Sequence, residues 1–299
     1  MKKSKLRVWQ VLFLFVAVLV FGFFQERISS NETKTLKSPL AVSAKSSLKP
    51  TSKPAPTSTP TPISTPSPTP TPTLNYGFCL KVPVVIYHHI QPQANAVVNK
   101  QTSLSVDNGY FDKQMAYLNQ NGYTTIFAQD LANALTTHSG LPGKNIVVTA
   151  DDGYADHYTY LFPIIKKYNI KTSLLIASGL IGNPGFMTWG EVREMVGSGL
   201  VQLVDHTWSH YALGYGKKID KIKYEIETGR AQIEQFTGQK TTTFGYPYGS
   251  FSNTAIQILQ QDGFIGAFST IGGFSQCDSF IMTLHRNHVG NAPLSSYGL

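Results

Sequence analysis

The stretch VVTADDGYADHY, residues 147–158, ends an apolar run on two adjacent aspartates and a glycine. Residues 146–149 read as a short buried strand, and Tyr160, Leu161, Ile164, Ile165 and Tyr168 recur at helical spacing just beyond it. The pair therefore falls where a strand hands over to a helix. One Asp there needs no special explanation, because its carboxylate can cap the free N–H groups of the helix that follows. Two are different: neighbouring carboxylates repel, and each raises the other's pKa unless a cation lies beside them. Asp151 and Asp152 thus ask for a positive partner.

Outward from this pair, strand-like and helix-like segments alternate. Residues 82–87 form an apolar run and residues 111–118 have helical spacing. Further strands are expected at 173–177, 201–204, 242–246, 264–268 and 280–284, with helices near 189–196, 219–236 and 254–260. Such alternation predicts parallel strands wrapped by helices, an α/β barrel or a doubly wound sheet. In either architecture the chemistry gathers at the C-terminal ends of the strands.

The first quarter of the chain has another texture. Basic residues precede an apolar run at 8–24, interrupted by Gln10 and Gly22 and just long enough to span a bilayer. No small-x-small cleavage site follows, so 1–28 reads as an uncleaved signal anchor with a cytoplasmic N-terminus. The alternative is a secreted protein whose signal is removed. Residues 29–75 are Ser, Thr, Pro and Lys with almost nothing to bury, a disordered stalk, and nine of the 17 prolines fall between Pro50 and Pro72. That leaves 76–299 as an exported domain. The net charge of +8 suggests nucleic acid until it is located: residues 1–74 hold 10 Lys/Arg against two Glu, and 75–299 hold 15 of each sign. A neutral globular part carries no footprint for a polyanion, and nucleic acid is set aside.

The cation's other ligands lie in LVDHTWSHYAL, residues 203–213, where His206 and His210 are four apart. On one helical turn both imidazoles would point the same way. Two neutral His and one carboxylate form the donor set of a catalytic zinc site, with a position left for water. The same set accepts cobalt or nickel by ligand type.

TADDG, HTWSH and FGYPYG, in that order, resemble the polysaccharide deacetylases with a NodB-homology domain, carbohydrate esterase family 4. The likeness covers roughly residues 83–289. It implies a distorted (β/α)7-type barrel and a metal-dependent enzyme that removes N-acetyl groups from an N-acetylhexosamine polysaccharide. It also assigns Asp151 as general base and Asp152, His206 and His210 as metal ligands. In FGYPYGSF the fixed proline, Pro247, and the small glycines suit a loop that turns backbone N–H groups inward, and the resemblance points to the Tyr248 amide as oxyanion donor. Where many members carry an arginine two residues before that proline, this chain has Gly245, so an arginine that would orient the base is missing. In that respect the chain is similar to the poly-N-acetylglucosamine deacetylase branch.

The acid is expected at His88, which follows the apolar strand of VPVVIYHHI, residues 82–90, in a placement that also resembles that branch. His285 and His288 of FIMTLHRNHV, residues 280–289, compete. Period-two alternation puts Met282, Leu284 and Arg286 on one face of the expected last strand and His285 on the other, which would let His285 point inward. Trp189 resembles a substrate-side aromatic of the family, although a Trp opening a helix is ordinarily core. His138 and His157 read as solvated surface residues. Asp205 either orients the adjacent His206 or is aimed away by strand alternation.

Two cysteines, Cys79 and Cys277, precede the first and last expected strands, and an even pair in an exported protein favours a disulfide. The combined expectation is a membrane-anchored, extracytoplasmic, monomeric N-deacetylase domain using zinc. An O-acetyl esterase, a non-catalytic carbohydrate-binding surface protein and a purely structural stalk protein are the other classes.

Overall fold

The computed structural model describes residues 77–299. The expected anchor at 1–28, the stalk at 29–75 and residue 76 lie outside the described residues. Among the described residues no helix is long and apolar enough to cross a membrane.

In chain order the strands are β1 Cys79–Lys81, β2 Val84–Tyr87, β3 His89–Gln91, β4 Ser105–Asp107, β5 Tyr123–Thr125, β6 Lys144–Asp152, β7 Thr172–Ile176, β8 Val201–Asp205, β9 Thr243–Gly245, β10 Gly266–Phe268, β11 Ser275–Cys277 and β12 Asn287–His288. The helices are α1 Gln93–Val98, α2 Asn108–Gln120, α3 Ala128–Thr136, α4 Phe162–Tyr168, α5 Trp189–Gly197, α6 Ile219–Thr237 and α7 Asn253–Gln261. The principal sheet runs β10-β9-β8-β7-β6-β2-β12, with β5 paired to the start of β6, and every pairing is parallel. It is centred on β6, buried from its second residue to its last.

Alternation along the strands separates two apolar layers. Val85, Tyr87, Val148, Ala150, Leu174, Ile176 and Leu203 pack with Phe111, Met115 and Leu118 of α2, Phe162 and Ile165 of α4, and Val192 and Met195 of α5. Val84, Val147, Leu175 and Val204 face the opposite way, against Phe268, Leu284, and Leu131 and Leu135 of α3. The sheet curls round this second layer. Leu284 exchanges backbone bonds with the β10 edge, its N–H reaching Ala267 at 2.8 Å and its carbonyl taking the Ser269 N–H at 2.9 Å. A few residues on, β12 pairs with β2. One short segment therefore touches both ends of the curled sheet.

That segment departs from the expected strand at 280–284. Asp278–Thr283 is a 3-10 helical stretch, and only Leu284 makes an isolated bridge, to Phe268. An apolar run of five does not by itself distinguish strand from helical turn. Here Met282 and Leu284 find separate apolar layers and no flat partner strand runs beside them. The expected strand at 264–268 is likewise confined to β10, because Phe264 closes the turn after α7 through its N–H to Leu259.

Cys79 and Cys277 are joined in a disulfide. They sit opposite each other in a separate antiparallel pair, β1 with β11, and not on the main sheet. The bond closes a loop with a sequence separation of 198. Chain-entropy arguments give such a closure about 4–5 kcal/mol, lost when both cysteines become serine. The double Cys79→Ser, Cys277→Ser variant is expected to unfold roughly 10 °C or more below the parent in a thermal scan. An unchanged midpoint would contradict that contribution.

Candidate metal centre and active-site cavity

The C-terminal strand ends of the curled sheet open into one cavity of about 530 Å³. Asp151 and Asp152 reach it from β6, His206 directly follows β8, Tyr246 and Tyr248 follow β9, Thr270 follows β10, and His88 directly follows β2. Tyr154, His210, Arg286, His288 and Leu104 complete the lining.

In a regular strand two adjacent side chains point to opposite faces, so something must break the alternation for both aspartates to line one cavity. The break is at Asp152, with φ +79°, followed by Gly153 at +85°. Left-handed backbone is uncommon outside glycine and costs of order 1–3 kcal/mol. Seven described non-glycine residues adopt positive φ, and four of them, Asp152, Thr207, His210 and Tyr248, belong to this site. The strain is concentrated where the chemistry-bearing side chains converge.

The His206–His210 segment is not the helical turn expected from its spacing. It is an irregular loop, with Thr207 at φ +65° and His210 at +59°. It nevertheless brings His206 Nε2 to 3.5 Å and His210 Nε2 to 3.0 Å from Asp152 Oδ1. One donor atom from each of the three lies within 4.8 Å of the others, a spacing that could hold a metal ion. The remaining ring nitrogens are occupied: His206 Nδ1 donates to the Gly245 carbonyl at 2.6 Å, and His210 Nδ1 is 3.1 Å from the Tyr248 hydroxyl. Fixing Nδ1–H on a carbonyl leaves the His206 Nε2 lone pair facing inward, the tautomer a ligand needs. Burial alone would raise the Asp152 pKa, but hydrogen bonds and charge from His206 and His210 outweigh it and hold the carboxyl well below the usual range. The donor set therefore fits a divalent ion of the zinc type.

Asp151 has a separate cation. Arg286, 1% exposed, donates from Nη1 to Asp151 Oδ1 at 2.7 Å and to Thr149 Oγ1 at 3.2 Å, and from Nε to the Ser269 carbonyl at 2.9 Å. Burial pushes the Asp151 pKa up, and the Arg286 charge, with smaller contributions from His88 and His206, brings it below the ordinary value. The arginine absent at Gly245 is thus matched by one from another part of the chain. Position 245 has no room for it, because a Cβ there would collide with the Leu175 side chain. The sequence signal was in view: Leu284 and Arg286 do share a face, but it is the inward one. His285 points elsewhere, its ring stacked on Phe280 at 4.6 Å and absent from the cavity lining.

His88 and His288 both line the cavity, their rings parallel and 5.8 Å apart. Burial lowers the His88 pKa, partly offset by Asp151 and Asp152. His157, expected at the surface, is fully buried and donates from Nε2 to the His88 carbonyl at 2.6 Å, fixing the backbone that presents His88. A neutral buried imidazole between α4 and β2 is indistinguishable in sequence from an exposed one. His138 is largely exposed, as expected, and pairs with Asp278 at 2.9 Å. His89, not singled out in sequence, pairs with Asp156 at 2.6 Å and stacks on Tyr154 at 3.7 Å, supporting the cavity wall.

Pro247 is buried at the start of a short turn in which Tyr248, at φ +59°, stays largely exposed on the rim. Trp189 is not among the cavity-lining residues: it opens α5, half-buried at the edge of the core, and stacks on the exposed Phe236 of α6 at 4.7 Å. Asp205 is fully buried and lies against α6, behind the metal loop, and burial raises its pKa well above the carboxylate range.

Replacing Arg286 by Met would strand the Asp151 carboxylate in a buried site, a loss of about 3–5 kcal/mol in stability. The Asp151→Asn, Arg286→Met double variant, with no buried charge left over, should recover much of it in denaturant unfolding. A loss below about 1 kcal/mol for Arg286→Met would contradict the pairing.

The polysaccharide deacetylase family model matches residues 138–266, which contain both aspartates, both loop histidines and the Tyr246–Pro247–Tyr248 turn. The poly-beta-1,6-N-acetyl-D-glucosamine N-deacetylase of Escherichia coli strain K12 is 26% identical over 248 residues, an alignment covering 68% of this chain and 36% of that protein. The structure of IcaB from Ammonifex degensii superposes with a TM-score of 0.62 at 27% identity, over 72% of this chain and 93% of that one. The Streptococcus pyogenes deacetylase PplD, solved in complex with acetate, superposes with a TM-score of 0.63 at 25% identity, over 70% and 92%. With this fold, this motif order and this cavity, residues 138–266 carry a polysaccharide deacetylase domain.

Proposed function

We propose that this protein is a metal-dependent N-deacetylase of an N-acetylhexosamine polysaccharide, with poly-β-1,6-N-acetylglucosamine the leading substrate, and that its catalytic domain of distorted (β/α)7 type is carried outside the cytoplasm on an N-terminal anchor and stalk. The observation that carries the reading is the division of two adjacent carboxylates between two different sets of partners. Asp152 faces His206 and His210, while Asp151 is held by Arg286. The name of the Escherichia coli relative supports the substrate, and the Cys79–Cys277 disulfide supports export.

Asp152, His206 and His210 would hold the ion, zinc in first place with cobalt or nickel as alternatives by donor type. When bound, such an ion contributes Lewis acidity, polarising the acetamide carbonyl and lowering the pKa of a water towards about 7. The chain's own residues do the rest. Asp151, ionised and fixed by Arg286, takes the proton of the attacking water as its oxygen bonds to the carbonyl carbon. The Tyr248 backbone N–H donates to the oxyanion that develops there. His88, entering protonated, then gives its proton to the amide nitrogen as the C–N bond breaks; the acetic acid formed passes its proton to the released amine, giving acetate and an ammonium group, and the proton held on Asp151 returns to His88 through solvent.

Purified protein incubated with poly-β-1,6-N-acetylglucosamine should release acetate, cease to do so after chelation, and recover with zinc or cobalt. Asp151→Asn should keep the metal and lose about 10²- to 10⁴-fold in turnover, whereas His206→Ala should lose the metal. His88→Ala should spare activated aryl acetate esters, whose leaving group needs no proton, relative to amides. Full activity in metal-stripped protein, or acetate released from O-acetylated polymers alone, would overturn the proposal.

A further inference from the structure

Asp152, His206 and His210 can share an ion only while residues 206–210 keep an irregular loop, and the side chain that shapes this loop lies outside the cavity. Glu225, in the second turn of α6, is fully buried. Its carboxylate accepts the Ser209 N–H at 2.8 Å and the Ser209 hydroxyl at 2.6 Å, and pairs with Lys221 Nζ at 2.7 Å. Its main-chain carbonyl accepts the Trp208 N–H at 2.9 Å. Two consecutive N–H groups of the loop thus end on one residue of the helix.

Gly229 stands four residues on, on the same face of α6. A Cβ there would collide with Asp205 Oδ1 and come to 3.0 Å from the Thr207 carbonyl carbon. Glycine inside a helix costs about 1 kcal/mol relative to Ala. At this position it lets the helix approach the loop closely enough for Glu225 to grip it. The loop has a reason to need gripping: Thr207 and His210 both hold positive φ without being glycine, its internal bond is the Tyr211 N–H on Thr207 Oγ1 at 2.9 Å, and the Ser178 and Gly179 N–H groups take its Thr207 and Trp208 carbonyls at 3.3 and 2.7 Å, so Glu225 supplies what those contacts do not, acceptors for the Trp208 and Ser209 N–H groups. A carboxylate suits the grip because it is acceptor-only and offers one oxygen to each Ser209 donor, where an amide would turn a donor towards one of them.

We infer that Glu225 is a positioning residue for the metal centre, holding Ser209 so that the His206 and His210 imidazoles converge on Asp152. The inference rests on the metal reading above. It concerns ion affinity, not substrate contact, since Glu225 is no part of the cavity lining.

The test is zinc affinity of the metal-stripped full chain, measured by competition with a chromophoric chelator, alongside the unfolding midpoint of the stripped protein. Glu225→Gln should bind zinc about 10- to 100-fold more weakly, the range for lost support of metal ligands. Lys221→Met, which removes the half-exposed partner but leaves both Ser209 bonds, should stay within about twofold. Ser209→Ala removes the hydroxyl half from the loop side, where no helix residue is disturbed, and should weaken zinc several-fold even if Glu225 variants fail to fold. Zinc affinity in Glu225→Gln or Ser209→Ala equal to the parent's, whatever happens to the midpoint, would overturn the inference while leaving the metal reading intact. A parent chain that binds no zinc would overturn both.

Discussion

Two aspartates side by side at a buried strand end can both remain ionised only if each has partners of its own, and much of this structure serves that constraint. Arg286 meets Asp151, and the two loop imidazoles meet Asp152. Burial works against both carboxylates, and in both cases the partners outweigh it. Because buried pairs gain little over apolar packing yet cost several kcal/mol when broken, each partner has to be supplied by rigid structure. Arg286 is therefore tied at three points, to Asp151, Thr149 and the Ser269 carbonyl. The curling of the sheet makes that possible, since the segment that carries Arg286 bonds to β10 just before it and pairs with β2 just after it.

The same economy explains where the backbone is strained. Asp152, His210 and Tyr248 leave ordinary φ/ψ space where they line one cavity, and Thr207 does so in the loop that carries the two imidazoles. Their cost is offset by well-packed neighbours: a nine-residue central strand under Asp152 and a 19-residue helix behind the Thr207–His210 loop. Strain of this kind persists only where the surroundings over-determine it. The two imidazoles are fixed in the same spirit, one by the Gly245 carbonyl and one by the Tyr248 hydroxyl, so the turn after β9 shapes the ligand set from outside as well as offering an amide to the reaction.

Much of this was legible in the sequence, and the reasons for success and failure are physical. β6 and β8 are largely apolar runs that end on Asp152 and Asp205, with the mainly apolar β7 between them, so their positions could be read in the sequence. The Asp and His residues stand out because ionisable groups at such ends have few structural explanations. Arg286 was invisible in that way. Its partner is 135 residues distant in the chain, and without the partner an arginine beside Leu284 reads as the outward face of a strand. The expected strand is a 3-10 stretch up to Thr283, and of its predicted face only Leu284 and Arg286 stay together, pointing inward, so His285 was placed as a rival acid when its ring stacks on Phe280. The loop at 206–210 misled similarly: spacing of four suggests a helical turn, but the geometry depends on Glu225 and Gly229, which identify themselves only once α6 is docked. Trp189 shows the opposite error, an aromatic given a substrate role that serves the contact of α5 with α6.

The central claim is that Asp152 and Asp151 have different partners and therefore different work. A crystal structure of the zinc-loaded protein, with the ion located by anomalous scattering, tests this most directly. The account predicts one ion with His206 and His210 nitrogens at about 2.0–2.1 Å and an Asp152 oxygen at about 2.0–2.2 Å. It also predicts that Asp151 remains on Arg286, outside the coordination sphere. An ion bound through Asp151, or bound away from the two histidines, would contradict it.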